Sequence, residues 1–183
     1  SKIYGAGELL HIKQMAQRMT PEAYETNMIF PRSMQKADGA IAGQLGQHYI
    51  DVLRELAPSP SYQRVTNKMP FNYKYLGMIA AMFPQAKIIH CIRHPLDVFI
   101  SNYFQVFLAG NSFCYSKERF IAFYTQYMRV VNHWKQVLPL DILEVRYENL
   151  VAKPEPEIRR MIKHLGLRWE KRCLSPETNT RAA

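Results

Sequence analysis

Cysteine is scarce in this chain: Cys91, Cys114 and Cys173 are the only three, an odd number with no Cys-x-x-Cys spacing. That argues against a disulfide framework and against a structural zinc ribbon, and it favours a reducing compartment such as the cytoplasm. No stretch of about 18 apolar residues occurs, so nothing in the sequence spans a bilayer. The opening segment, "SKIYGAGELLHI", has neither the charged flank nor the long apolar run of a signal peptide. There is no GxxxxGK[ST] phosphate loop, no HExxH, no internal repeat and no low-complexity tract. Acidic residues are in deficit, 15 against 24 lysines and arginines, for a net charge of +9. An anionic partner follows: nucleic acid, a membrane surface, or a phosphorylated or sulfated small molecule.

What is present suits one α/β domain. With 183 residues, 48% of them hydrophobic, the chain is long enough to bury a substantial core. Apolar residues at helical spacing predict a helix from Gly7 to Met19, closed by Pro21. "PEAYETNMIFPRSMQ" has two prolines and no period, and reads as a loop. Asp38 can cap a helix through "GAIAGQLGQHYIDVLREL", although three glycines weaken it, each by about 1 kcal/mol relative to alanine. Beyond it, "YQRVTNKMP" predicts a short strand and "NYKYLGMIAAMF" a helix. "AKIIHCIR" predicts a strand and "PLDVFISNYFQVFLA" a helix with proline near its first turn. After a loop "GNSFCYS", "KERFIAFYTQYMRVVNHWKQVL" is a long amphipathic helix. "DILEVRYENL" is another strand, and "PEPEIRRMIKHLG" a helix with glycine just past its end. Strands alternating with helices predict a parallel β-sheet with helices on both faces.

In such a sheet ligands collect beyond the carboxyl ends of the strands, where helix N-termini point their free N–H groups. Arg93 closes the strand "AKIIHCIR", and Ser101 follows in the second turn of the next helix. Asp97 and Ser101 share a helix face, four residues apart, so the carboxylate can orient neighbours while the hydroxyl donates outward. A guanidinium fork with a hydroxyl near a helix start suits a phosphate monoester. An ordinary turn with a solvated arginine is the competing reading, and sequence physics leaves both open. His90 and His94 flank Cys91 across a strand and a proline break rather than along a helix, so they do not form a metal pair; His90 is expected packed in the sheet and His94 at the turn.

"IRHPLDVFISNY" resembles the Arg-x-Pro-x-Asp-x-x-x-Ser element with which sulfotransferases hold the 3′-phosphate of PAPS, 3′-phosphoadenosine 5′-phosphosulfate. The longer stretch from "NKMPFNYKYLG" to "SNYFQVF" looks like the bacterial tyrosylprotein-sulfotransferase-like group, whose members are often fused to tetratricopeptide repeats. "LEVRYENLVAKPEPEIRRMIKHLGL" and "GAGEL" are similar to two further blocks of that group. The resemblance covers nearly all of residues 1–183. It implies the sulfotransferase form of the P-loop nucleotide-kinase-like fold and transfer of a sulfonate from PAPS, without a metal, to a hydroxyl on a peptide tyrosine, a sugar or a small alcohol. Carried over residue by residue, Arg93 and Ser101 would bind the 3′-phosphate and Lys68 would sit by the oxygen bridging sulfonate and 5′-phosphate. Glu8 would be the general base, and Tyr147 would lie near the adenine. Without the resemblance, Glu8 reads as a dipole partner in a helix's first turn, Lys68 as an exposed lysine and Tyr147 as packing at a strand end.

One element of the family pattern is missing. A Pro-Arg-Ser-Gly-Thr-like loop between the family's first strand and helix holds the 5′-phosphosulfate, and "PRSMQ" at Pro31 only echoes it, without the glycine and without a preceding apolar strand. The expectation is a single sulfotransferase domain truncated at both ends, starting downstream of that loop and unable alone to complete a PAPS pocket. The non-enzyme rival is a nucleic-acid-binding module, since "FNYKY" and "YKYLG" interleave aromatics with lysine. The enzyme rival is a P-loop kinase whose phosphate loop lies elsewhere.

Overall fold

A computed structural model of the protein describes residues 2–17, 30–107 and 110–178. The chain forms two compact units, one running to Ala86 and one starting at Lys87. In the first, strand β1 (Ile3–Gly5) leads to helix α1 (His11–Gln17), a 3-10 turn at Arg32–Lys36 and helix α2 (Gly39–Leu56). Strand β2 (Arg64–Thr66), a 3-10 turn at Pro70–Tyr75 and helix α3 (Leu76–Met82) complete it. In the second, strand β3 (Lys87–Ile92) passes to helix α4 (Pro95–Tyr103), a 3-10 turn at Ser112–Tyr115 and the long helix α5 (Lys117–Val137). Strand β4 (Asp141–Arg146), α6 (Tyr147–Ala152) and α7 (Pro154–His164) follow, then two short 3-10 turns.

The α/β expectation with parallel strands is borne out. Among the described residues the strands form two parallel pairs, β1 with β2 and β3 with β4, rather than one sheet. Strand β1 was not foreseen: three residues are too few to show a period, and the strand exists because β2 supplies its hydrogen-bonding partner. In the second pair Lys87 faces Asp141 and Ile92 faces Arg146, a constant offset of 54 residues along the ladder. The ion pair from Lys87 Nζ to Asp141, at 2.7 Å, keeps the same offset.

Local chemistry explains where the helices start and stop. Asp38 accepts the Ile41 amide at 2.9 Å, the expected N-cap of α2. Ser116 caps α5 through the Arg119 amide at 3.4 Å. Pro95 occupies the first turn of α4, where its missing N–H costs nothing. Past α7, Gly166 takes φ +68°, Leu167 N–H donates to the Ile162 carbonyl at 3.1 Å and Gly166 N–H to Lys163 at 3.0 Å. This is the paired closure in which glycine alone avoids a Cβ penalty.

Helix α2 runs through all three of its glycines, and Gly46 shows why one is required. A Cβ there would lie 3.1 Å from the Met82 carbonyl oxygen and 3.4 Å from Phe83 Cε1, so the glycine lets α2 approach the end of α3. Beside it Tyr49, Met78, Ile79 and Met82 are buried with Ile12, Met15 and Ala16 of α1. The second unit has its own core around Cys114, Phe120, Val131, Leu140, Val145 and Leu165.

Several boundaries shift from expectation. "NYKYLGMIAAMF" is a 3-10 turn before it is a helix, and "GNSFCYS" contains a 3-10 turn rather than open loop. Helix α4 ends at Tyr103, earlier than its apolar run suggests, while Leu108 and Ala109 of that expectation lie outside the described residues. So do Arg18 and Met19 of the first helix and most of the "PEAYETNMIF" loop; "PRSMQ", expected as loop, contributes to the 3-10 turn from Arg32. None of the described helices is long and apolar enough to cross a membrane.

Candidate active site

In the first unit the β1–β2 ladder continues past its strands as a zipper. Ala6 N–H donates to the Thr66 carbonyl at 2.8 Å and Lys68 N–H to that of Gly7 at 2.9 Å. Asn67 closes the next step with its side chain: Oδ1 accepts the Leu9 amide at 3.2 Å, and Nδ2 donates to the Leu9 carbonyl at 3.4 Å and to the Tyr49 hydroxyl at 2.9 Å. Burial raises the Tyr49 phenol above its ordinary range, against the opposing effect of Asn67, so the hydroxyl stays protonated. The residues beside Leu9 and Asn67 are Glu8 and Lys68, and the zipper brings their side chains into direct hydrogen-bonded contact. Sixty residues apart in sequence, the two sequence-expected catalytic groups form an ion pair. Both are more than half exposed, so the pair adds little to stability.

Glu8 differs from expectation in its setting: it occupies a bend before α1, not the first turn of that helix. A bend leaves the carboxylate to be aimed by the zipper instead of by a helix dipole. Asn67 directly precedes Lys68 in the sequence. Nothing in one sequence marks an asparagine whose partners are a backbone 58 residues away and a tyrosine 18 residues away.

In the second unit Arg93 stands one residue past β3, which ends at Ile92. Its guanidinium lies over the Tyr147 ring, with Cζ 5.0 Å from the centroid, and Nε is 3.6 Å from Asp97 Oδ2. Ser101 is exposed one helical turn beyond Asp97 on the same side of α4. Asp97 and Ser101 therefore share one side of α4, and Asp97 is the residue that approaches Arg93. Tyr147 is corrected in one respect: it opens helix α6 instead of ending a strand, because β4 stops at Arg146. Glu148, which the sequence reading did not single out, accepts the His94 amide at 2.7 Å. That hydrogen bond, the largest cause, holds its carboxyl below the usual carboxylate range.

His90 is packed against the sheet and His94 precedes α4, as expected. His90 Nδ1 meets Glu144 at 3.1 Å, and Nε2 contacts the Tyr127 hydroxyl of α5; Glu144 is also bound by Lys135. Burial lowers the affinity of His90 for a proton, outweighing the raising effect of Glu144, while Lys135 adds to the lowering. The unfolded chain then binds this proton more readily than the folded one. The stability involved is full above the ordinary value of 6.5 and is lost as pH falls from there towards the lower folded value. The urea midpoint should drop between about pH 7.5 and about pH 5.5, and His90→Gln should flatten that drop; an unchanged slope in the variant would assign it to other groups.

The aromatics that suggested a nucleic-acid face are engaged internally. Lys74 Nζ lies 4.9 Å from the Phe71 ring centroid and 6.0 Å from that of Tyr73, and burial raises the Tyr73 and Tyr75 phenols. In the long helix Phe120 is buried, its ring 5.1 Å from that of Phe99, and Phe123 stacks on Phe113 at 3.7 Å. Stacking platforms for bases need faces open to solvent.

Comparison with known proteins gives the family and the fold. The family model described as Sulfotransferase family matches residues 2–171. A protein of Aquifex aeolicus described as uncharacterized is 30% identical over 181 residues, 95% of this chain and 23% of that protein. An omega-hydroxy-beta-dihydromenaquinone-9 sulfotransferase of Mycobacterium tuberculosis is 30% identical over 108 residues, 55% of this chain and 28% of that protein. The chain thus spans about a quarter of the length of these relatives. The solved sulfotransferase domain from the curacin biosynthetic pathway has the same fold, with a TM-score of 0.55 at 20% identity over 93% of this chain and 59% of that one.

Proposed function

The chain belongs to the sulfotransferase family, and on that premise we propose that it carries the reacting groups of an enzyme that moves a sulfonate from PAPS to an acceptor hydroxyl. The observation that carries the proposal is the Glu8–Lys68 contact. In an in-line displacement the entering and leaving oxygens lie on opposite sides of one sulfur, so the group that accepts the proton and the group that stabilises the leaving oxygen belong to one small site. Glu8 takes the proton of the acceptor hydroxyl as its oxygen attacks sulfur. Lys68 stabilises the negative charge that grows on the bridging oxygen as the sulfur–oxygen bond breaks. A carboxylate and an ammonium whose backbones are fixed by the zipper are preorganised for these tasks.

Arg93 and Ser101 meet the donor's 3′-phosphate. A planar fork braced on a ring and a carboxylate suits a tetrahedral dianion better than a mobile lysine would. Tyr147 lies at the nucleotide side, beneath Arg93 and near the adenine. The acceptor is a hydroxyl on a peptide tyrosine, a carbohydrate or an alcohol, and an alcohol hydroxyl is named in the mycobacterial relative.

The test is calorimetric titration of the full-length protein with 3′,5′-bisphosphoadenosine (PAP), the product left by the donor, and with adenosine 5′-phosphate. The 3′-phosphorylated nucleotide should bind at least about tenfold more tightly, the least that one charged contact contributes. Equal affinities, or binding to random oligonucleotides with a steep salt slope and none to PAP, would overturn the proposal.

A further inference from the structure

We propose that Glu148 is the positioning residue of the 3′-phosphate contact: by holding the His94 amide it leaves Asp97 to brace Arg93, whose guanidinium rests on the Tyr147 ring. The inference rests on the donor reading above, but the positioning is argued from the geometry alone.

The constant 54-residue offset between β3 and β4 continues beyond both strands. Ile92 faces Arg146 as the last pair of the ladder, and the same spacing separates Arg93 from Tyr147 and His94 from Glu148. The side chains make the matching contacts: guanidinium over ring at 5.0 Å, and amide to carboxylate at 2.7 Å. The dipeptide Tyr147–Glu148 therefore grips the peptide plane that follows Arg93 and the guanidinium at its tip.

Helix α4 shows what this contact changes. His94 is its N-cap and makes no side-chain capping bond. Asp97 is the third residue of the helix, the position from which an acidic side chain ordinarily reaches back to the N-cap amide. Here the amide is taken by Glu148, and Asp97 turns to Arg93 at 3.6 Å. Without Glu148, Asp97 would be drawn back to His94, and Arg93 would keep only the ring as support. The Glu148 carboxyl is exposed and remains ionised under any condition in which the phosphate is a dianion. It needs no donor to hold its place.

Glu148→Ala should weaken PAP by up to about tenfold, because Arg93 loses the Asp97 brace that holds it in place for the phosphate. Adenosine 5′-phosphate should bind as before, because it never reaches Arg93. Glu148→Gln keeps an acceptor oxygen and should restore most of the loss. Glu148→Asp, one methylene shorter, should behave like alanine, and it provides a second variant if alanine compromises folding. In sulfonate transfer the donor KM should rise with the same order of selectivity while kcat at saturating donor changes by no more than about threefold, the signature of a lost ground-state contact. Unchanged PAP affinity in both the alanine and aspartate variants would overturn the positioning role. So would an equal loss for both nucleotides, which would mark a general fold effect, or a glutamine variant as weak as alanine. A wild-type protein that does not distinguish the two nucleotides would instead remove the donor reading, and the purpose of the positioning with it.

Discussion

In the full-length enzyme, replacing Arg93 by alanine should weaken binding of PAP by roughly 2–5 kcal/mol, about thirtyfold to several thousandfold in Kd. The size follows from what remains: a phosphate dianion facing a serine hydroxyl and the carboxylate of Asp97, with the intervening cation removed. Asp97, 3.6 Å from Arg93 Nε in the native protein, changes from a brace into a repelling neighbour. Arg93→Lys should recover only part of the loss. An ammonium keeps the charge, but it has no planar fork and is too strongly hydrated to rest on the Tyr147 ring as the guanidinium does. Calorimetry with PAP reads both variants, and a loss below about 0.5 kcal/mol for alanine would remove Arg93 from the site. Because the arginine is partly exposed and outside the buried core, the variant should fold normally.

Exchange of Glu8 for glutamine has the other large expected effect, on rate instead of affinity. An amide of the same shape cannot accept the hydroxyl proton, so turnover should fall by about a hundredfold to ten-thousandfold. PAP affinity should change far less than turnover, since the groups assigned to its 3′-phosphate are elsewhere in the chain. Loss of the ion pair to Lys68 should shift thermal stability only slightly, both partners being well exposed. Parallel losses in turnover and nucleotide affinity would recast Glu8 as a structural partner of Lys68.

The residues that carry these expectations were legible to different degrees. Arg93, Asp97 and Ser101 sit within nine positions of one another, and helical spacing alone puts the last two on one face. Asp38, Pro95 and Gly166 announced their helix ends because capping chemistry acts over one turn. Tyr147 was read on the wrong element, since an apolar run does not reveal where a strand yields to a helix. Glu148 and Asn67 were invisible as functional groups: their partners are backbone atoms 54 and 58 residues away, and only the register of a ladder brings such atoms together.

By itself, then, the amino-acid order determined what acts within a few residues: the caps, the alternation of strands and helices, the cationic balance, and the short motif at the end of β3. Tertiary structure decided the pairings. It put Lys68 on Glu8, Tyr147 under Arg93 and Glu148 on His94, because parallel strands align residues whose separation is set by the whole crossover connection, a distance no local pattern encodes.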